Sequence, residues 1–169
     1  DERAGVALGH ARLAILDLSP AGHQPMVSAS GRYVLAFNGE IYNHGELRQA
    51  LCHGPSGLAM ADGFSWRGHS DTETLLAAFE NWGLEATLQR CVGMFAMALW
   101  DRQAGTLHLA RDRFGEKPLY YGWVNGAWVF GSELKALRAC PGFANPVSRE
   151  ALALYMRFTY VPAPHSIYR

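Results

Sequence analysis

The sequence predicts an α+β fold, with two antiparallel sheets layered between helices. Three observations carry this prediction. Apolar runs recur as hairpin pairs: residues 93–101 and 106–110 flank Gln103-Ala104-Gly105, and residues 119–123 and 127–130 flank Asn125-Gly126. Asn-Gly suits the two-residue turns that join antiparallel strands. A segment after His69-Ser70-Asp71 places Leu75, Leu76, Phe79 and Trp82 on one face, the mark of an amphipathic helix. Residues 94–100 are apolar without a polar break, as in a strand buried on both faces. Consecutive hairpins favour antiparallel pairing, and helices must cover the outer faces. The full reading contains roughly eight short strands and four or five helices.

In chain order, residues 6–10 and 12–16 read as two strands, and residues 17–22 as the loop after them. Gly22-His23-Gln24-Pro25-Met26 reads as a further loop. Gly31-Arg32 turns into an apolar strand at 33–37. That strand meets Asn38-Gly39-Glu40, read first as a hairpin corner. A Gly at such a corner lets a ligand approach the backbone, and an Asn amide beside a Gly N–H offers the two donors an oxyanion hole needs. Residues 46–52 have helical spacing through Leu47 and Leu51. Residues 53–65 are rich in Gly, Pro, Ala and Ser and read as a surface loop. Ser70 or Asp71 would cap the next helix, so Asp71 has a structural explanation before any functional one. Residues 84–91 form a short helix entered through Gly83. The charged loop 111–118 reads as structural ion pairing. Ser132-Glu133 would cap a helix through Leu137, and Ser148 one through Phe158.

The chain has 169 residues, enough for one domain with a core. Lys plus Arg and Asp plus Glu number 15 each, so charge points neither to nucleic acid nor to an anionic membrane. The apolar run near Met94 is far shorter than the ~20 residues a spanning helix needs, and no basic, apolar signal segment opens the chain. Cys52, Cys91 and Cys140 are widely spaced, which fits a reducing cytoplasm better than a disulfide framework. Gly-x-Ser-x-Gly, Walker A and Gly-x-Gly-x-x-Gly patterns are absent. The seven histidines show no metal-ligand spacing, so no metal site is expected in this domain.

Several stretches, taken in order, resemble one family. They are Gly9-His10-Ala11-Arg12-Leu13-Ala14-Ile15-Leu16-Asp17-Leu18-Ser19, Gly22-His23-Gln24-Pro25-Met26, Phe37-Asn38-Gly39-Glu40-Ile41-Tyr42-Asn43 and Ser70-Asp71-Thr72-Glu73. Gly93-Met94-Phe95-Ala96, the 111–121 stretch, Gly131-Ser132-Glu133-Leu134-Lys135-Ala136-Leu137 and Tyr160-Val161-Pro162-Ala163-Pro164 continue the series. Together they resemble the glutaminase domain of glutamine-hydrolysing asparagine synthetases, class II glutamine amidotransferases of the N-terminal nucleophile hydrolase fold. The resemblance implies a four-layer αββα sandwich. It implies that an N-terminal Cys attacks the glutamine side-chain amide with its own α-amine as base, releasing glutamate and ammonia. It also implies roles for residues that match. Arg12 would pair with the α-carboxylate of L-glutamine, and the backbone of Leu13, Ala14, Ile15 and Leu16, chiefly Ile15, would line the same pocket. Asn38 and Gly39 would form the oxyanion hole, and Glu40 and Asp71 would hold the α-ammonium.

Against this pattern, the chain begins at Asp1 without the Cys-Gly-Ile start of the family. The expectation is a glutaminase domain over 1–158 that lacks its first strand and nucleophile, and is inactive as given. Residues 159–169 would be a linker toward an ATP-dependent synthetase domain, to which ATP and magnesium would belong. That domain is the expected partner, and an exposed sheet edge makes a homodimer a second one. Two alternatives stay open: amidation of another carboxylate such as a sugar acid, and a non-catalytic glutaminase-like module.

Overall fold

The computed structural model describes residues 1–11, 19–53, 65–144 and 146–169. They form two compact units, Asp1–Pro118 and Leu119–Arg169. The first holds a four-stranded antiparallel sheet in the order β1 (Met26–Val27), β2 (Tyr33–Ile41), β3 (Gly93–Asp101) and β4 (Thr106–Arg111). It also holds α1 (His44–His53), α2 (Asp71–Trp82) and α3 (Leu84–Arg90). The second unit contains the hairpin β5 (Tyr120–Val124) and β6 (Ala127–Gly131), with α4 (Leu134–Arg138) and α5 (Arg149–Phe158). The chain is thus mixed α/β with two antiparallel sheets. Six strands occur among the described residues, fewer than the sequence suggests.

The core of the first unit follows from strand alternation. Tyr33, Leu35, Phe37 and Ile41 project from β2, and Phe95, Met97 and Leu99 from β3, onto Leu75, Leu76 and Phe79 of α2. Leu35, Ile41 and Leu75 are wholly buried, and each such side chain contributes ~1.5–3 kcal/mol. Ala96, Ala98 and Trp100, on the other face of β3, are buried too. That double burial is what the unbroken apolar run predicts. The helix at α2 is capped by Ser70, whose Oγ accepts the Glu73 N–H at 3.2 Å. In the second unit Asn125-Gly126 turns β5 into β6 with φ of 50° and 80°, as a type I′ turn requires. Ser148 caps α5 through the Ala151 N–H. Tyr168 then pairs with Val147, and the Arg169 N–H reaches Pro146 O at 3.1 Å.

The structure corrects several expectations. Asn38-Gly39-Glu40 is not a corner: β2 runs through it to Ile41, in register with Ala96, Phe95 and Met94 of β3. A continuous ladder outweighs a local turn preference. Gly39 is needed for another reason, because a Cβ there would lie 2.2 Å from Met94 O and 2.7 Å from Phe95 Cα. Gly93 faces the same restriction, 2.1 Å from Glu40 O. Residues 6–10 form no strand, since alternation defines two faces but a strand also needs a paired neighbour. The strand expected at 12–16 lies outside the described residues. Met26, placed in a loop by sequence, begins a short strand with Val27 that pairs with Leu35 and Val34. Glu133 precedes α4 without a side-chain cap bond. Among the described residues, the charged loop 111–118 is held by backbone N–H groups donating to a carboxylate rather than by ion pairs. Asp112 takes the N–H groups of Phe95, Phe114, Glu116 and Lys117 at 3.2, 3.0, 2.9 and 3.1 Å. Burial pushes its carboxyl up, but these four donors bring it down to about 2.

Candidate functional site

The site is built on one edge of β2. In an antiparallel ladder, successive N–H groups point alternately to the two neighbours. Tyr42, continuing the even-numbered phase, donates to Val92 O beside β3 at 2.8 Å. The odd-numbered N–H groups therefore point to the opposite edge. There β1 pairs only with Val34 and Leu35. Beyond it no strand among the described residues pairs with this edge, and side chains accept its N–H groups. The Phe37 N–H donates to Gln24 Oε1 at 2.7 Å, and the Ile41 N–H to Asp71 Oδ2 at 2.9 Å. The Gly39 N–H lies between them on the same edge, with no acceptor among the described residues.

Asn38 and Glu40 project from the face of β2 opposite to Phe37 and Ile41, and both are half-buried. The Asn38 amide makes no side-chain hydrogen bond among the described residues. Asp71 is buried at the first turn of α2, and its Oδ1 accepts the Thr72 N–H at 2.8 Å. Burial raises its pKa, the Ile41 and Thr72 donors and the nearby His44 oppose this, and the Glu40 charge adds to the rise. Two carboxyl groups thus sit within electrostatic reach of each other beside an outward-facing N–H and an amide. Because Ser70 performs the capping, Asp71 is released to reach across to β2. The alternative cap proposed from sequence is thereby settled in favour of Ser70.

A buried polar cluster anchors the approach to α2. Arg48 of α1 donates to Gly68 O at 3.0 Å, Ser70 O at 3.1 Å, Thr74 Oγ1 at 2.8 Å and Glu73 Oε2 at 3.3 Å. Its guanidinium lies 4.1 Å from the centroid of the Trp66 ring. Glu73 also accepts the N–H groups of Arg67 and Gly68 at 2.7 and 3.0 Å. Residues 66–70 are therefore tied to both helices, which sets where Asp71 begins.

Of the residues expected from sequence, Asn38, Gly39, Glu40 and Asp71 lie together at this edge. Arg12, Leu13, Ala14, Ile15 and Leu16 lie outside the described residues. Gln24, Arg48 and Glu73 were not singled out, because nothing local in a loop Gln or a helical Arg shows which backbone groups it will meet. Among the described residues, no group of three or more His, Cys, Asp or Glu is placed to hold a metal ion. No helix among them is long and apolar enough to cross a membrane. Cys91 is buried, and burial pushes its thiol up to about 11.

Comparison with known proteins gives a consistent result. A family model described as a glutamine amidotransferase domain matches residues 2–169. The chain is 39% identical over 167 residues to asparagine synthetase (glutamine-hydrolyzing) 1 of Bacillus subtilis, covering 99% of this chain and 24% of that protein. It is 37% identical over 150 residues to asparagine synthetase (glutamine-hydrolyzing) 3 of the same organism, covering 88% and 23%. Amidase chyE of Penicillium rubens is 37% identical over 134 residues, covering 79% of this chain and 18% of the relative. The chain spans about a quarter of the length of the curated synthetases it matches.

Proposed function

The chain belongs to the glutamine amidotransferase domain family, and from that premise we propose that it is the glutaminase part of an asparagine synthetase-like enzyme. Its reaction is hydrolysis of L-glutamine to glutamate and ammonia. The ammonia serves ATP-dependent amidation of aspartate in a synthetase domain, where ATP and magnesium are bound. The observation that carries this reading is the outward-facing Gly39 N–H beside Asn38, flanked by Glu40 and Asp71.

The chemistry follows from that arrangement. Attack of a thiolate on the glutamine carboxamide carbon moves charge onto its oxygen. Donors aimed at that charge lower the barrier, and the Gly39 N–H and Asn38 amide supply them. Loss of ammonia leaves a thioester, which water cleaves to glutamate. Glu40 and Asp71 favour the α-ammonium of the substrate. Arg12 offers a planar fork to its α-carboxylate. The nucleophile is an N-terminal Cys, whose α-amine acts as base. Cys52, Cys91 and Cys140 are internal and carry no free α-amine, so none of them is that nucleophile. The fold on this reading is the four-layer αββα sandwich, supported by a sheet whose second face, with Ala96, Ala98 and Trp100, is also buried. The compartment is the cytoplasm.

The test is glutamate release by the full-length protein bearing its N-terminal Cys. Absence of glutamate with that Cys intact would refute the reading. Arg12→Ala should raise the KM for glutamine, since a charge-assisted bond contributes ~1.5–3 kcal/mol. An unchanged KM removes Arg12 from the site. Amidase chyE carries a similar domain under another name, which supports a second reading: the same glutaminase serving a different carboxylate acceptor. Comparing aspartate with sugar acids as acceptors separates the two.

A further inference from the structure

Gln24 lies between the 3-10 turn Pro20–Gly22 and β1, and its amide is used at both ends. Oε1 accepts the Phe37 N–H at 2.7 Å, and Nε2 donates to Thr72 Oγ1 at 3.4 Å. The Thr72 hydroxyl, having accepted from Gln24, lies 3.5 Å from Asp71 Oδ1 and donates toward it. The Thr72 N–H donates to the same oxygen at 2.8 Å, and Asp71 Oδ2 accepts the Ile41 N–H at 2.9 Å. Hydrogen-bond polarity therefore runs in one direction from Gln24 through Thr72 to Asp71.

The two ends of this relay hold Phe37 and Ile41, the edge N–H groups on either side of Gly39. It spans the place where β1 has ended and no strand among the described residues supports β2. An edge without such partners is free to twist or bulge. A donor aimed at developing charge loses much of its effect when displaced by about 1 Å. Asp71 reaches the substrate in the reading above, but Gln24 and Thr72 act behind it.

We propose that Gln24 is a positioning residue: together with Thr72 it holds the edge of β2 so that the Gly39 N–H keeps its aim, without itself touching substrate. Its kinetic consequence rests on the glutaminase reading, whereas its effect on the strand edge does not. The test uses the full-length protein and the variants Gln24→Met, Thr72→Val and Thr72→Ser. Hydrogen–deuterium exchange of a peptide covering residues 36–41 reads the edge, and glutamate release reads catalysis. Gln24→Met should speed exchange in that peptide while leaving residues 73–82 of α2 protected. Its kcat should fall by about 10–100-fold, with KM within about threefold of the parent. Thr72→Val should move both readouts in the same direction, and Thr72→Ser, which keeps the hydroxyl, should restore them. Unchanged exchange in both Gln24→Met and Thr72→Val overturns the proposal. So does a parental kcat in both, a loss confined to KM, or a failure of Thr72→Ser to restore. If Gln24→Met does not fold, the Thr72→Val and Thr72→Ser pair decides alone. If the parent releases no glutamate, the glutaminase reading fails while the exchange experiment still judges the relay.

Discussion

Replacing Gly39 by Ala tests the packing logic of the site more directly than any change of charge. The new Cβ would stand 2.2 Å from Met94 O, 2.7 Å from Phe95 Cα and 2.8 Å from Phe95 Cβ. Ordinary carbon contacts need ~3.5–4.0 Å, and two of these neighbours are backbone that cannot rotate away. β2 and β3 must separate by about 1 Å at this pair, an overpacking strain of ~1–3 kcal/mol. The flanking ladder bonds at Asn38–Ala96 and Glu40–Met94 stretch with it, each contributing ~0.5–1.5 kcal/mol. The expected loss is about 2–6 kcal/mol, a large part of the ~5–15 kcal/mol that holds a domain folded. Urea denaturation with linear extrapolation measures it. Gly93→Ala should behave alike, with its Cβ 2.1 Å from Glu40 O and 2.9 Å from Ile41 Cα. Gly45→Ala in α1 is the internal control. Nothing lies within 4 Å of its Cβ, so it should stabilise by ~0.5 kcal/mol through helix propensity. A Gly39→Ala protein as stable as the parent, or a Gly45→Ala protein destabilised as much as Gly39→Ala, would refute the reasoning.

Other outcomes follow from the same contacts. Asp112→Asn keeps one acceptor oxygen but turns an NH₂ toward the donors that met Oδ2, Phe95 and Lys117; thermal unfolding should show a loss of ~2–3 kcal/mol. Asn38→Ala should leave denaturant stability within about 1 kcal/mol, as expected where no buried bond is broken. On the proposed glutaminase reading, in which Asn38 is an oxyanion donor, the same change should lower kcat of the full-length protein by about 10²–10³. Asp101 is held down to about 2, first by hydrogen bonding from Arg32, and Asp112 stands at about 2 as well. Both folded-state values lie below the unfolded ones, so their contribution is present above pH ~4 and disappears as pH falls toward ~2. Asp71 has the opposite sign, its raised value favouring the folded state at low pH. Denaturation at stepped pH should show a net acid-side loss, and Arg32→Ala should weaken the Asp101 part of it.

Much of the architecture was legible because its causes are local. The apolar spacing of Leu75, Leu76 and Phe79 requires a helix with one buried face, and Ser70 three residues before Glu73 marks its start. The unbroken run in β3 requires burial on both faces. The ordered resemblance singled out Asn38, Gly39, Glu40 and Asp71 as site residues. What stayed hidden depends on partners distant in sequence: Gln24 against Phe37, Arg48 against Gly68 and Ser70, and Asp112 against Phe95. None of these carries a periodicity, because a hydrogen bond between a loop side chain and a remote backbone group leaves no repeat in the sequence.

Two Asn-Gly pairs in this chain mark the boundary between the two kinds of information. At Asn125-Gly126 the local preference is realised: both residues take positive φ and the hairpin closes. At Asn38-Gly39 the same dipeptide lies inside a nine-residue strand. By itself the sequence determined that each position could turn and that each strand was apolar enough to bury. Only the tertiary structure decided which turn formed. The ladder from Tyr33↔Asp101 to Ile41↔Gly93 exceeds the preference of one dipeptide, and it needs a residue without a Cβ where β3 passes closest. That same passage leaves the Gly39 N–H on the edge away from β3, between the Gln24 and Asp71 acceptors.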